Sequence, residues 1–298
     1  MPELPEVETT RRGIEPWVVG RRVAAITIRN RQLRWPVDLP HDLVGQRVRS
    51  VGRRGKYLLL EIDTGHLIVH LGMSGSLRIV GSDEPLKTHD HIDCRFTSES
   101  HTQHAEGSHA QHAEGSESSN EILLRYNDPR RFGSWHFHEG DFATHWLLES
   151  LGVEPLGNEF SGQYLHRISR NRKVAIKNLI MDSKVVVGVG NIYAAEALFM
   201  AGIRPATAAR RIPERTYDKL ALTIRQVLAD AVRQGGTTLR DFVGSDGQPG
   251  YFGQSLKVYG RADKPCLVCH TLLKGQVLGQ RATVYCPNCQ RSQGFQRV

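Results

Sequence analysis

The chain of 298 residues contains no apolar run near the roughly 20 residues that span a bilayer, so no membrane helix is expected. Its first residues lack the charged-then-apolar layout of a secretory leader, which makes the cytosol the expected compartment. Acidic residues are in deficit: 31 Asp and Glu stand against 39 Lys and Arg, a net charge of +8. That imbalance favours a polyanionic partner, most simply nucleic acid. Apolar content is ordinary at 39%, so a packed core is expected rather than wholesale disorder. The length suits two modest domains, or one with an appendage.

Cysteine is scarce too, and its placement is informative. Of five, four form CLVC (Cys266, Cys269) and CPNC (Cys286, Cys289), with sixteen residues between the pairs. That spacing predicts one tetrahedral four-thiolate zinc ion, each C-x-x-C knuckle delivering two ligands. Disulfides are the alternative, disfavoured in a reducing cytosol, and a redox C-x-x-C would need only one such motif. Cys94, in the alternating stretch HIDCRF, reads as a buried thiol.

Seven short segments from about residue 21 to 139 have strand length and composition: VAAITIRN, KYLLLEID, HLIVHLG, GSLRIV, HIDCRFT, EILLRYND and GSWHFHE. They predict an antiparallel β-sandwich or barrel. A tandem repeat, HTQHAEGS followed by HAQHAEGS, interrupts them at about 98–120. It is too polar for a core and reads as a disordered loop between paired strands, whose histidines are a weaker metal candidate. After residue 140 the period turns helical, in THWLLESLG, YLHRISRN, VAIKNLIMD, IYAAEALFMAGI and a long helix after Pro213 ended by two glycines. The zinc segment closes the chain as a β-hairpin. The expected division is a β domain at 1–139, a helical domain at 140–245, and a loop with zinc finger at 246–298.

The opening MPELPEVETT raises a chemical question. Methionine is removed efficiently before a small residue, which would leave Pro2 as a secondary amine able to form an iminium ion. An α-amino pKa near 8, against about 10.4 for lysine, leaves roughly a hundredfold more free base at neutral pH. Glu3 and Glu6 lie close enough in sequence to move protons or hold a cation. Equally, Pro5 and these acids suit the start of a helix. The residues alone leave catalysis and capping level.

The segments MPELPEVET, RRGKYLLLE, HLGMSGSLRI, NDPRRFGSW, VVVGVGNIYAAEALF, QGGTTLRDF with SDGQPGYF, and RATVYCPNC resemble, in that order, the bacterial formamidopyrimidine-DNA glycosylases. The resemblance runs from residue 1 to about 290. It implies an α+β multidomain protein: an N-terminal antiparallel β-sandwich, a helix–two-turn–helix domain, and a zinc-bound β-hairpin.

For function the resemblance implies a monomeric base-excision-repair enzyme on damaged double-stranded DNA, associated with the nucleoid. It would excise oxidised purines and cut the strand by β,δ-elimination. Pro2 would be the nucleophile at C1′ and Glu3 the acid. Lys56 would serve β-elimination and Arg281 δ-elimination; the blander readings are a strand-edge lysine and a solvated hairpin arginine. Met73, Arg130 and Phe132 would fill the gap left by a flipped nucleotide, the arginine reading the orphaned base. Loop Met and Phe residues otherwise suggest edge-of-core packing. His89, Lys173 and Asn191 would contact phosphate, Asn191 at a helix start whose glycines admit close backbone approach. An Asn N-cap there is compatible with that role. The glycine-rich segment holding Asp246 and Tyr251 would be a mobile lid. The repeat departs from the family's usual short turn. A non-catalytic damage binder and the sister branch acting on oxidised pyrimidines are the competing readings.

Overall fold

The computed structural model describes residues 2–98, 121–237 and 252–291. The histidine-rich repeat, Asp246 and Tyr251 lie outside the described residues. Helix α1 (Leu4–Val18) begins with Pro5 in its first turn, where a missing N–H costs nothing, and buries Leu4, Val7, Ile14 and Val18.

Eight strands follow: β1 (Arg22–Ile28), β2 (Val48–Arg54), β3 (Tyr57–Ile62), β4 (Gly65–His70), β5 (Ser76–Val80), β6 (Asp90–Thr97), β7 (Glu121–Asn127) and β8 (Ser134–Glu139). They form two antiparallel four-stranded sheets, ordered β1-β6-β7-β5 and β2-β3-β4-β8. Leu58, Leu60, Val69, Ile92, Phe96, Tyr126 and Trp135 pack in one core, joined by Val7 and Ile14 of α1. Cys94 faces it, and burial pushes its thiol up to about 12. Strand β2 is absent from the sequence reading. Its segment, VRSVGRR, buries only Val48 and Val51, carries three arginines and a glycine, and forms a sheet edge. Period-2 apolarity cannot announce such a strand.

The helical part comprises α2 (Gly162–Ser169), α3 (Ile176–Met181), α4 (Asn191–Ala201) and α5 (Glu214–Arg233). Helix α4 is apolar on all sides and buried along nearly its whole length. Helix α5 lays Tyr217, Leu220, Ile224, Val227, Leu228 and Ala231 into the same core. The expected helix over THWLLESLG does not form. Phe142–Thr144 makes a 3₁₀ turn started by the Asp141 side chain, which accepts the Ala143 N–H at 2.9 Å. Tight bonds continue it, His145 N–H to Phe142 O at 3.1 Å and Leu148 N–H to His145 O at 2.7 Å.

The last element is a hairpin of β9 (Lys274–Leu278) and β10 (Arg281–Tyr285). Gly279 and Gln280 both take positive φ, 54° and 61°, as a two-residue hairpin turn requires. No helix among the described residues is long and apolar enough to cross a membrane.

Candidate active site

The site forms where the start of the chain meets the helical part. Pro2 is buried. The Leu4 N–H donates to Gly188 O at 3.0 Å. The Glu3 carboxylate lies on the N-terminus of α4, accepting the N–H groups of Gly190 at 2.7 Å and Ile192 at 2.9 Å. Burial raises its pKa above the ordinary carboxylate value, while Lys56 nearby pulls it down. Glu6 is wholly engaged as a structural tie. It accepts the Glu3 N–H at 2.8 Å, the Tyr193 hydroxyl at 2.6 Å, and the N–H and hydroxyl of Thr237 at 2.8 and 2.9 Å. Of the two readings the residues left level, the structure bears out helix capping: Glu3 and Glu6 organise the starts of α1 and α4.

This changes the reading of GVGNIY. The N-cap of α4 is Gly190, and Asn191 is already helical. The helix N–H groups expected to be free for phosphate are taken by Glu3. The glycines do permit a close approach, but by the protein's own first turn: a Cβ on Gly188 would meet Leu4 Cβ at 2.6 Å, and one on Gly190 would strike the Glu3 carboxylate. The Asn191 side chain also reaches the hairpin, its Nδ2 donating to Ala282 O at 3.1 Å.

Lys56 sits in the two-residue turn between β2 and β3. Gly55 takes φ 58° there and donates its N–H to Glu154 at 2.6 Å. Burial lowers the pKa of Lys56, with Glu3 opposing and Arg281 reinforcing the shift. Arg281 opens β10, directly before the hairpin residues that hold Lys177. Lys177, on α3, was missed by sequence reasoning. It is fully buried without a carboxylate hydrogen bond, and its ammonium donates to Asn191 Oδ1 at 2.6 Å, Thr283 Oγ1 at 2.6 Å and Ala282 O at 3.2 Å. Burial brings it down to about 8. Its signal was a lysine at the inward spacing of VAIKNLI.

Two adjoining cavities open here. One, about 310 Å³, is lined by Lys56, Tyr57, His70, Gly188 and Arg281 among others. The second, about 670 Å³, collects Met73, Arg130, Phe132 and Arg281. His70 belongs to both walls. Burial and the neighbouring cations Lys56 and Arg34 hold it at about 4, and its Nδ1 accepts the Gly72 N–H at 3.0 Å.

Met73, Arg130 and Phe132 come together because Asp128, another missed residue, fastens both loops. Its buried carboxylate accepts the Ser74 hydroxyl at 2.7 Å, the Tyr126 hydroxyl at 3.0 Å and the Gly133 N–H at 2.8 Å. Gly72 sits so close to the Phe132–Gly133 backbone that any side chain would collide. Phe132 is left 43% exposed, with the Arg130 guanidinium 5.0 Å over its ring. His89 and Lys173 are exposed but line neither cavity.

The four Sγ atoms of Cys266, Cys269, Cys286 and Cys289 lie within 4.8 Å of one another. The Cys269–Cys286 separation is 3.5 Å and Cys266–Cys289 is 3.9 Å, far beyond a disulfide bond of about 2.0 Å. Tetrahedral thiolates about 2.3 Å from zinc stand at close to these spacings. The four cysteines fit one structural zinc ion, which clips the hairpin bearing Arg281.

Comparison with known proteins agrees part by part. Residues 1–135 match the profile of the formamidopyrimidine-DNA glycosylase N-terminal domain, 151–243 that family's H2TH domain, and 263–291 the zinc finger found in FPG and IleRS. A formamidopyrimidine-DNA glycosylase of Thioalkalivibrio sulfidiphilus is 54% identical over 98% of this chain and 100% of its own length. The enzyme of that name from Alcanivorax borkumensis is 52% identical with the same coverage. Among solved structures, Lactococcus lactis Fpg with abasic-site DNA superposes with a TM-score of 0.83 at 29% identity, covering 97% of this chain and 100% of that one. The same enzyme with N7-benzyl-Fapy-dG DNA gives 0.83 at 30%, covering 98% and 100%. Fold and site together define a DNA glycosylase, an enzyme of DNA repair. The chain belongs to the formamidopyrimidine-DNA glycosylase family.

Proposed function

We propose that this protein is a bifunctional glycosylase and abasic-site lyase that removes oxidised purines, 8-oxoguanine and formamidopyrimidines, from duplex DNA. The observation that carries the reading is the burial of the chain's first turn against α4, next to a cavity whose wall brings Lys56, Gly188 and Arg281 together. With Met1 removed, the Pro2 nitrogen attacks C1′ of the flipped nucleotide, and the base departs with the glycosidic electron pair and a proton. The acid form of Glu3, favoured by its burial, protonates the ring oxygen as the sugar opens to an iminium. Loss of the C2′ proton expels the 3′ phosphate, and a second elimination expels the 5′ phosphate. Lys56, its pKa lowered by burial, moves protons in the first elimination, and Arg281 neutralises the departing phosphate in the second.

Met73, Arg130 and Phe132 fill the vacated stack, Arg130 reading the orphaned base, while His89, Lys173 and Asn191 hold phosphates. Zinc takes no part in the chemistry; its four thiolates hold the finger that presents Arg281. The enzyme works as a monomer, and its units divide at 1–139, 140–245 and 246–298.

Borohydride reduction on an 8-oxoguanine duplex tests the reading. Protein with a free Pro2 amine should be captured covalently, and protein with an uncleaved N-terminal extension should not. Capture by the extended protein would place the nucleophile elsewhere. Competition by an oxidised-pyrimidine duplex that outmatches the purine lesion would assign the chain to the other branch.

A further inference from the structure

Arg34 carries no assigned role, yet it lines both cavities, together with His70 and Arg281. Neither wall contains an Asp or Glu. The Arg34 guanidinium is exposed and has no carboxylate partner among the described residues. Its cation is nonetheless felt at His70, whose pKa it lowers together with Lys56.

The side chain is not a loose surface arginine. Its backbone N–H donates to Gly133 O at 3.2 Å, which stitches it to the loop carrying Arg130 and Phe132. Its guanidinium stacks 4.6 Å over the Trp35 ring. Trp35 is braced in turn by edge-on contacts with Trp146 at 5.3 Å and His136 at 5.9 Å. His145 lies behind both, 5.6 Å from Trp146 and 5.4 Å from His136. An arginine held over an indole keeps donors free for a ligand and loses less rotamer freedom on binding it.

We propose that Arg34 is a phosphate-binding residue of the DNA cleft, and that the Trp35–Trp146–His136 cluster is the buttress that positions it. The inference rests on the DNA reading of the cleft. A guanidinium without a carboxylate partner between two acid-free cavities is matched by a backbone phosphate next to the flipped nucleotide. Trp35 acts through Arg34 and is a positioning residue.

The probe is a duplex bearing a tetrahydrofuran abasic analogue, which binds without reacting. Affinity is measured from about 50 to 200 mM salt, where each neutralised phosphate contributes about 0.9 to the slope of log K against log[salt]. Arg34→Gln should lower that slope by about 0.9, and Arg34→Lys should preserve it. Trp35→Leu should weaken binding in the Arg34 background and have little further effect beside Arg34→Gln, because the two substitutions remove one device. Melting temperatures of the exposed Arg34 variants report that the fold is kept. Equal slopes for wild type and Arg34→Gln, or fully additive losses in the double variant, would overturn the assignment. If the unaltered protein ignored the abasic duplex, the DNA reading itself would fall, and this inference with it.

Discussion

Glu3 reaches 187 positions along the chain to accept the Gly190 N–H at 2.7 Å. A single carboxylate thereby joins the first turn of the molecule to the first turn of α4. Glu3→Ala would strand two buried donors, each costing about 1–3 kcal/mol. Glu3→Gln keeps an acceptor. Urea unfolding should therefore show Glu3→Ala less stable by roughly 2 kcal/mol or more, and Glu3→Gln near wild type, while both lose base excision. Equal stability of the three proteins would remove the tie.

Glu196 should be a purely structural counterpart. Buried on α4, it accepts the backbone N–H groups of Lys257, Val258 and Tyr259 at 2.8–2.9 Å, fixing the segment that leads into the zinc finger. Glu196→Ala leaves three donors unpaired, and a loss of about 3 kcal/mol or more is expected by urea titration.

Metal removal should act at a distance. The ammonium of Lys177 leans on Ala282 O and Thr283 Oγ1, and Asn191 on Ala282 O. Chelation, or Cys286→Ser, should lower the melting temperature and weaken abasic-duplex binding, with zinc restoring only the chelated wild type. Undiminished DNA binding by the metal-free protein would detach the finger from the cleft.

The histidines beside Trp146 predict an acid limb in stability. Burial, with His136 and His138 adding, takes His145 from 6.5 down to about 4. Between those values the unfolded chain holds a proton that the folded chain refuses. Its contribution is therefore intact above about 6.5 and is lost as pH falls toward about 4. His145→Gln should flatten the acid side of a stability–pH curve without altering the neutral plateau's slope. An unchanged acid limb would mean that other groups set it.

Much of this was legible because local and global signals agreed. Seven β-strands announced themselves by length and composition, α5 by its apolar stripe, and the zinc site by cysteine spacing. Strand β2 stayed hidden because an edge strand with two buried side chains has almost no apolar signature. The helix expected over THWLLESLG was overcalled, since a short apolar run says nothing of the 3₁₀ turn that the Asp141 side chain starts just before it. The candidate site residues came from motif resemblance; the groups that hold them did not. Asp128 and Lys177 look ordinary in sequence, and only the burial of their charge reveals what each supports. Gly188 and Gly190 were read as room for a ligand, although the occupant is Leu4 and Glu3.

The first turn has a consequence for biosynthesis. A ribosome makes Pro2 through Glu6 at the outset, yet their partners Gly188, Gly190, Tyr193 and Thr237 emerge only much later. Chains abandoned partway lack every one of these partners, so the opening turn of the protein can lock into place only once synthesis has passed Thr237.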